Sequence, residues 1–589
     1  MGEAWRRHLN YILMNMQARR GDPAWFESEW PQIERAWNAG QRWGDATTLL
    51  VYLNAALPSM APLGLWTTVI AWITQGLPWV QEAGNKLREG VLLENLGYSH
   101  FLRGDREKAL AIYEEALALA EAFPGQVYTG ALLGRVGELY AAIGQPQRAL
   151  TYLQRAVTIA DQAGNRKDAS QWLDRLGRVY AALGQNQKAA DCLEEALQLA
   201  RTIGHQGLVG SALGNLANLY LDAGDLDRAV PRLEEVLQIA RESADRHAEA
   251  TALINLALAR GMAGDIRACI EAYEQALDIA RRIGDRDNES TCLGGLAGAY
   301  RIMGRVSTAM HYVEQALRLA QMIGDADGEM SWLSELGTLC GLVGENDQAL
   351  ARFQQALALA RGAASSPWHQ ETILGNLGNF YLTLGQIAEA RKCFEEALPL
   401  AQEIQDRAGQ CALTDGLATT YAETGDRLRA AELYQQALVL ARQIPDRRRE
   451  ASLLSNLGTI LLAMSDLEGA IANQEQALTI FTNLDDLRSA SMVLNALGNA
   501  YLAGGDLEQA LTLYRRAVDV ARESEDWRSE ATGSWNLGML LGQQGNFQDA
   551  VGFLRRAVAM EQIHGHSNAP VHAAVLNQVE ALLEESNEA

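Results

Sequence analysis

A leucine recurs along this chain every forty residues, and that period limits what its 589 residues can form. Counting from Leu216, the series runs through Leu96, Val136, Leu176, Leu256, Leu296, Leu336, Leu377, Leu417, Leu457, Leu497 and Leu537, twelve copies in all. A glycine follows eight residues later in eleven of them, from Gly104 and Gly144 to Gly505 and Gly545, and Ser465 stands in the twelfth. A fixed period in this range marks a solenoid, in which each unit buries its apolar face on the next.

Within one unit, Leu213, Leu216, Ala217 and Tyr220 are spaced i, i+3, i+4, i+7, one stripe of an α-helix. Gly224 can take the left-handed conformation that ends this first helix, and Asp225 is a short acceptor able to cap the next. Ala229, Leu233, Val236, Leu237 and Ala240 form the stripe of a second helix, with small residues where two helices approach closely. Neither stripe can be buried alone, so the helices pair and the pairs stack.

The asparagine-leucine-glycine/alanine run, the tyrosine four residues after the leucine, the Gly-Asp turn and the small residue in the second helix resemble the tetratricopeptide repeat. Each unit exceeds the family's thirty-four residues by about six. The proline that closes the family's second helix is missing, so a longer second helix is expected, with residues 237–245 running on helically. Asp245, Asp285, Asp325, Asp406, Asp446, Asp486 and Asp526 then recur where a carboxylate caps the next first helix. Long-repeat arrays of this kind resemble those of kinesin light chain and of bacterial signal-transducing (STAND) ATPases. The fold this implies is all-α, a right-handed α-solenoid of stacked helix-turn-helix repeats.

The array is expected over residues 90–570, followed by a capping helix in 571–589. Residues 1–89 lie outside the register and hold eight of the thirteen tryptophans, which points to a helical cap with its own core and with helices over 45–57 and 63–82. Residues 28–37 also resemble the segment that joins the ATPase core to the sensor array in signal-transducing ATPases. Two places break the rhythm. The spacing from Leu336 to Leu377 is forty-one, and residues 362–368 carry Ser365, Ser366 and Pro367 in place of a helical extension, so a joint is expected there. Pro231 and Pro399 fall inside second helices, and a kink is expected at Pro399.

Composition excludes several functions. A net charge of -23 leaves no field to attract a phosphate backbone, so nucleic acid is not an expected partner. Residues 46–81 carry no charge, but Pro58, Pro62 and Pro78 interrupt them and the longest clean piece, 63–73, is too short to cross a bilayer. Trp5 to His8 lead into only a brief apolar patch before Arg19 and Arg20, unlike a secretory signal. Six cysteines (Cys192, Cys269, Cys292, Cys340, Cys393, Cys411) form no CxxC pair and fall mostly at core positions, which fits free thiols in the cytoplasm. No phosphate loop, HExxH or GxSxG is present, so the chain is not expected to be an enzyme or to hold a cofactor. His564, His566 and His572 sit at a helix end, more in keeping with a polar loop than with a metal site.

The remaining signal lies on the first helices. Opposite the core stripe fall Ser211, Gly214, Asn215, Asn218 and Leu221, the face that would line the concave side. Asparagine precedes the key leucine at Asn95, Asn215, Asn255, Asn376, Asn456 and Asn536, and follows it by two at Asn218, Asn379 and Asn499. An amide both donates and accepts, so this row either binds an extended peptide's backbone or bonds to neighbouring helices. Arg135, Arg175 and Arg178 share the face, with Glu138 and Asp174 near enough to neutralise them. Around Gly294, Gly295 and Gly298 the face lacks side chains, which leaves room for a ligand beside Arg301. Taken with the resemblance, these residues point to a protein or peptide held in the groove. The chain would then be the sensor arm of a STAND-type signalling ATPase, with the ATPase module on the same or a partner chain, or a free-standing adaptor bridging two proteins.

Overall fold

Two left-handed residues per repeat set the fold wherever both of a repeat's turns are described. In the fourth repeat the first helix, Gln206–Asp222, stops before Gly224 (φ 71°), and the second, Leu226–Glu242, stops before Ala244 (φ 54°). The reversed φ turns the next amide back onto the helix. Asp225 N–H donates to the Tyr220 carbonyl at 2.8 Å, and Asp245 N–H to that of Ala240 at 2.9 Å. Each aspartate then caps the following helix, Asp225 Oδ1 accepting from Arg228 N–H at 3.1 Å and Asp245 Oδ1 from Ala248 N–H at 3.0 Å.

In this repeat both helices span 17 residues, and the expected helical run through 237–245 stops at Glu242. The run is cut by the second left-handed turn, which glycine provides at Gly164, Gly204, Gly284 and Gly324, and Gln405, Asp485 and Glu525 provide elsewhere. Six of the seven recurring aspartates cap through a backbone N–H. Asp526 instead accepts the Ser529 hydroxyl at 2.6 Å.

The structure is a computed structural model that describes residues 2–19, 23–43, 46–60, 63, 65–122, 126–362, 367–444 and 446–588. It is an all-α solenoid, with twenty-nine helices and no strand among the described residues. The chain divides into two compact units, residues 1–299 and 300–589. Inside each unit the two helices of a repeat are antiparallel neighbours joined by three-residue turns, and each pair packs on the next. Glycine after the key leucine permits the closest approach: a Cβ on Gly177 would lie 2.6 Å from Leu193 Cγ on the paired helix.

In the first unit, helices Gly2–Ala18, Pro23–Trp43, Ala46–Met60 and Trp66–Glu82 precede the repeats. Trp37 and Trp72 stack at 4.4 Å, the Tyr52 hydroxyl donates to the Ile33 carbonyl at 2.8 Å, and the Trp37 indole donates to Gln75 Oε1 at 3.3 Å. The same core takes in Leu92 and Leu96 of the first repeat. None of the described helices is long and apolar enough to cross a membrane.

In the second unit, Ile387–Glu403 stays helical through Pro399, as Leu226–Glu242 of the first unit does through Pro231. Both prolines are exposed, so water can satisfy the carbonyl that each leaves without a donor. Residues 363–366 of the expected joint lie outside the described residues, between helices ending at Gly362 and starting at Pro367. The last helix, Ala569–Glu588, packs on Phe547–Ile563 through Leu576, against Val551, Leu554 and Val558.

Candidate peptide-binding face

Most of the asparagines bind their own chain. Asn215 Nδ2 donates to Asp174 Oδ1 at 2.8 Å, Asn376 to Ser334 Oγ at 3.1 Å and Asn456 to Asp415 Oδ1 at 3.4 Å. The pattern is regular, since the residue before the key leucine donates to the residue two before the key leucine of the preceding repeat. Asn255 donates to Asn218 Oδ1 at 3.2 Å, and Asn95 to the Val91 carbonyl of its own helix at 2.8 Å. Burial pushes the Asp174 and Asp415 carboxyls up, and the amide donors only partly offset it. Of the other three, Asn499 Oδ1 accepts from Tyr514 at 2.6 Å, while Asn379 and Asn536 have no hydrogen-bond partner among the described residues.

The arginines divide. Arg135 lies 5.0 Å from the Tyr98 ring centre and 3.4 Å from Glu138 Oε2, and Arg175 Nε is 3.3 Å from Glu138 Oε1. One carboxylate thus serves two guanidiniums. Asp174 is engaged elsewhere, accepting from Asn215 and from the Ser211 hydroxyl at 3.2 Å. Arg178 is exposed, and no described carboxylate oxygen comes within ion-pair distance of it. It stands at the rim of a cavity of about 530 Å³ between the first helices Gln126–Ala142 and Arg166–Ala182, walled by Phe101, Ala142, Leu153, Val179 and Ala182.

Two expected features differ. The room at Gly295 is occupied, because a Cβ there would run into the Tyr273 ring, whereas Gly298 faces open space. Leu221 is buried rather than on the open face. Arg301 Nε lies 3.6 Å from Glu335. His564 stacks on Trp527 at 4.0 Å, and His572 stacks on Trp535 at 3.7 Å and pairs with Glu561 at 2.9 Å. No group of three His, Cys, Asp or Glu suited to a metal occurs among the described residues. All six cysteines are free thiols, five buried and Cys192 half-buried, and burial pushes Cys192 up to about 11.

Sequence reasoning missed a second set of polar contacts. Buried Glu249 accepts from Arg241 of the preceding helix at 3.0 Å and from Arg246 at 2.6 Å. Glu289 is held in the same way by Arg281 and Arg286, and Glu450 by Arg442 and Arg447. The signal was present as Arg-x3-Asp-Arg-x2-Glu across each of these junctions, for example Arg241, Asp245, Arg246 and Glu249.

A family model described as tetratricopeptide repeat matches ten overlapping stretches, which together cover residues 88–362 and 369–562. No curated protein matches the chain. Among solved structures, BtubC (BKLC) from P. vanneervenii is similar at 24% identity, over 36% of this chain and 88% of that one, with a TM-score of 0.32.

Proposed function

Because the chain belongs to the tetratricopeptide repeat family, whose arrays are protein-interaction scaffolds, we propose that it holds an extended segment of a partner protein along its first helices. An acidic side chain of that segment sits between the second and third repeats. The observation that carries this reading is Arg178, an exposed guanidinium with no described carboxylate at ion-pair distance, at a mostly apolar cavity that Glu138 and Arg175 also line. Charge-assisted hydrogen bonds from guanidinium to carboxylate are short and strong, and the apolar wall suits a neighbouring aliphatic side chain. In a chain of net charge -23 such a cation is a local exception.

The array acts as the sensor arm of a STAND-type signalling ATPase. The forty-residue repeats and the run over 28–37 support this, and the missing phosphate loop puts the ATPase module on another part of a longer chain or on a partner. A free-standing adaptor is the second reading, and an ATPase region upstream in the same reading frame decides between them. Free, mostly buried thiols suit a reducing cytoplasm.

The test is to capture the partner on the immobilised chain from the source organism's lysate, then compare the parent with Arg178→Ala. Binding should weaken by about tenfold at low salt, from the loss of roughly 1.5 kcal/mol of charged hydrogen bonding, and by less at high salt. Equal affinity of the two proteins at low salt would rule out Arg178 as the contact.

A further inference from the structure

The second unit contains another cavity of the same size class, about 520 Å³, between the first helices Leu487–Ala503 and Trp527–Gln543 of the eleventh and twelfth repeats. Two pairings made elsewhere in the array are left open beside it. In the first, an arginine nine residues before the key leucine faces the capping aspartate of the next repeat: Arg448 lies 3.4 Å from Asp486, and Arg488 lies 3.4 Å from Asp526. Arg528 holds that place in the twelfth repeat, but thirty-eight residues on, where the aspartate would stand, is His566. Its guanidinium lies 5.4 Å from the Trp527 ring centre, and no described carboxylate pairs with it.

The second pairing is the amide rung. Asn536 corresponds to Asn215, and Asn495 to Asp174, yet the bond between them is not made. Asn495 is only 6% exposed; its Nδ2 donates to the Ser491 carbonyl at 3.2 Å and its Oδ1 is buried without a partner. Asn499 accepts from Tyr514 through Oδ1, which leaves its Nδ2 as a donor at the cavity. Met492, 60% exposed, and Ala496 supply apolar wall.

We propose that this cavity is a second docking point, for a partner segment in which an acidic residue is followed by an apolar one. The carboxylate is taken by Arg528 and Asn499, and the apolar side chain lies against Met492. The surface donors, Arg528 and the Asn499 amide, face a lining whose exposed acceptor, the Thr532 hydroxyl, is neutral, so an anion fits better than a cation. Asp526 does not cancel them, because it is buried and already bound to Arg488 and Ser529. Each unit then carries one such point.

This inference rests on the reading that the first helices bind protein segments, and the two can fail separately. The probe is a fluorescein-labelled peptide Gly-Leu-Asp-Leu-Asp-Gly, titrated against the full chain by anisotropy, with stoichiometry from calorimetry and the Asn-for-Asp peptide as control. Two peptides should bind per chain, and Arg528→Gln should weaken one of them by at least about tenfold. Met492→Glu should have the same effect, which guards against misfolding of a single variant, and circular dichroism of both should match the parent. Loss of binding in Arg178→Ala with none in Arg528→Gln or Met492→Glu would overturn the second site and leave the first. The converse pattern would overturn the first alone. No binding of the acidic peptide, or equal binding of the Asn control, would overturn both.

Discussion

Glu249 and Asp174 are both buried carboxylates on first helices, and their surroundings push them in opposite directions. Burial alone would raise Glu249, but the hydrogen bonds from Arg241 and Arg246 outweigh it and hold the carboxyl below its usual range. For Asp174 burial wins over Asn215, Arg175 and Ser211, and the carboxyl is raised. The signs in pH follow from linkage. A depressed carboxylate contributes stability that is present above its unfolded value, roughly 4.3, and is lost as pH falls through the folded value. A raised one favours the fold fully only below its unfolded value, roughly 3.9, and that contribution is lost as pH rises through the folded value. Glu249→Gln should therefore lower the melting temperature at neutral pH, costing about 1 kcal/mol, with the gap closing on acidification. Asp174→Asn should raise it at neutral pH, because the amide still accepts from Asn215 through Oδ1 and can donate through Nδ2 to the Ser211 hydroxyl oxygen without a desolvated charge, and that gap too should close in acid. Melting curves of parent and variants from neutral to acid pH check this; two variants that shift stability with the same sign would contradict it. In the sequence Asp174 was visible only as a neighbour of Arg175, because a carboxylate's donor from forty-one residues on appears only once the helices are stacked.

At the scale of the element, the forty-residue period was legible and its division into two twenties was not. Eleven glycines mark the turn after the first helix, whereas the turn after the second uses Ala244, Gln405, Asp485 and Glu525 as well as glycine, so it follows no residue pattern. The physical requirement is nevertheless the same at both turns. Ser465, at φ 67°, is the one departure at the first turn, and an L-residue there carries strain of about 1–2 kcal/mol. Ser465→Gly removes that strain and gives back about 0.5–1 kcal/mol through the more flexible unfolded chain. A net gain of about 0.5 kcal/mol is the expected result in urea unfolding. Gly224→Val is the reverse case, with a β-branched side chain forced to φ 71°, and should cost at least about 1–2 kcal/mol. A Ser465→Gly protein no more stable than the parent would mean that the serine hydroxyl offsets the backbone strain.

At the scale of the whole molecule, each described helix of a unit packs mainly on the helices one or two places away in the chain. Stability is then a sum of repeat and interface terms rather than the property of one core, so damage should spread only as far as those contacts reach. Leu537 is a suitable position because it is fully buried on the first helix of the twelfth repeat, in a cluster with Tyr514 and Ala550. Leu537→Ala leaves a cavity and should cost about 2–5 kcal/mol locally. Hydrogen exchange followed peptide by peptide should show faster exchange across the eleventh and twelfth repeats and the last helix. The helices Ala326–Leu342 and Asn346–Gly362 of the same unit should keep the parent's protection, because no chain of direct contacts shorter than several repeats joins them to the lesion. Uniform loss of protection from residue 326 to 588 would mean that the second unit unfolds as one cooperative body. In that case the two open pairings beside Arg528 and Asn495 could not loosen the terminal repeats without loosening the entire unit, and a ligand seated there should protect distant helices as strongly as those it touches.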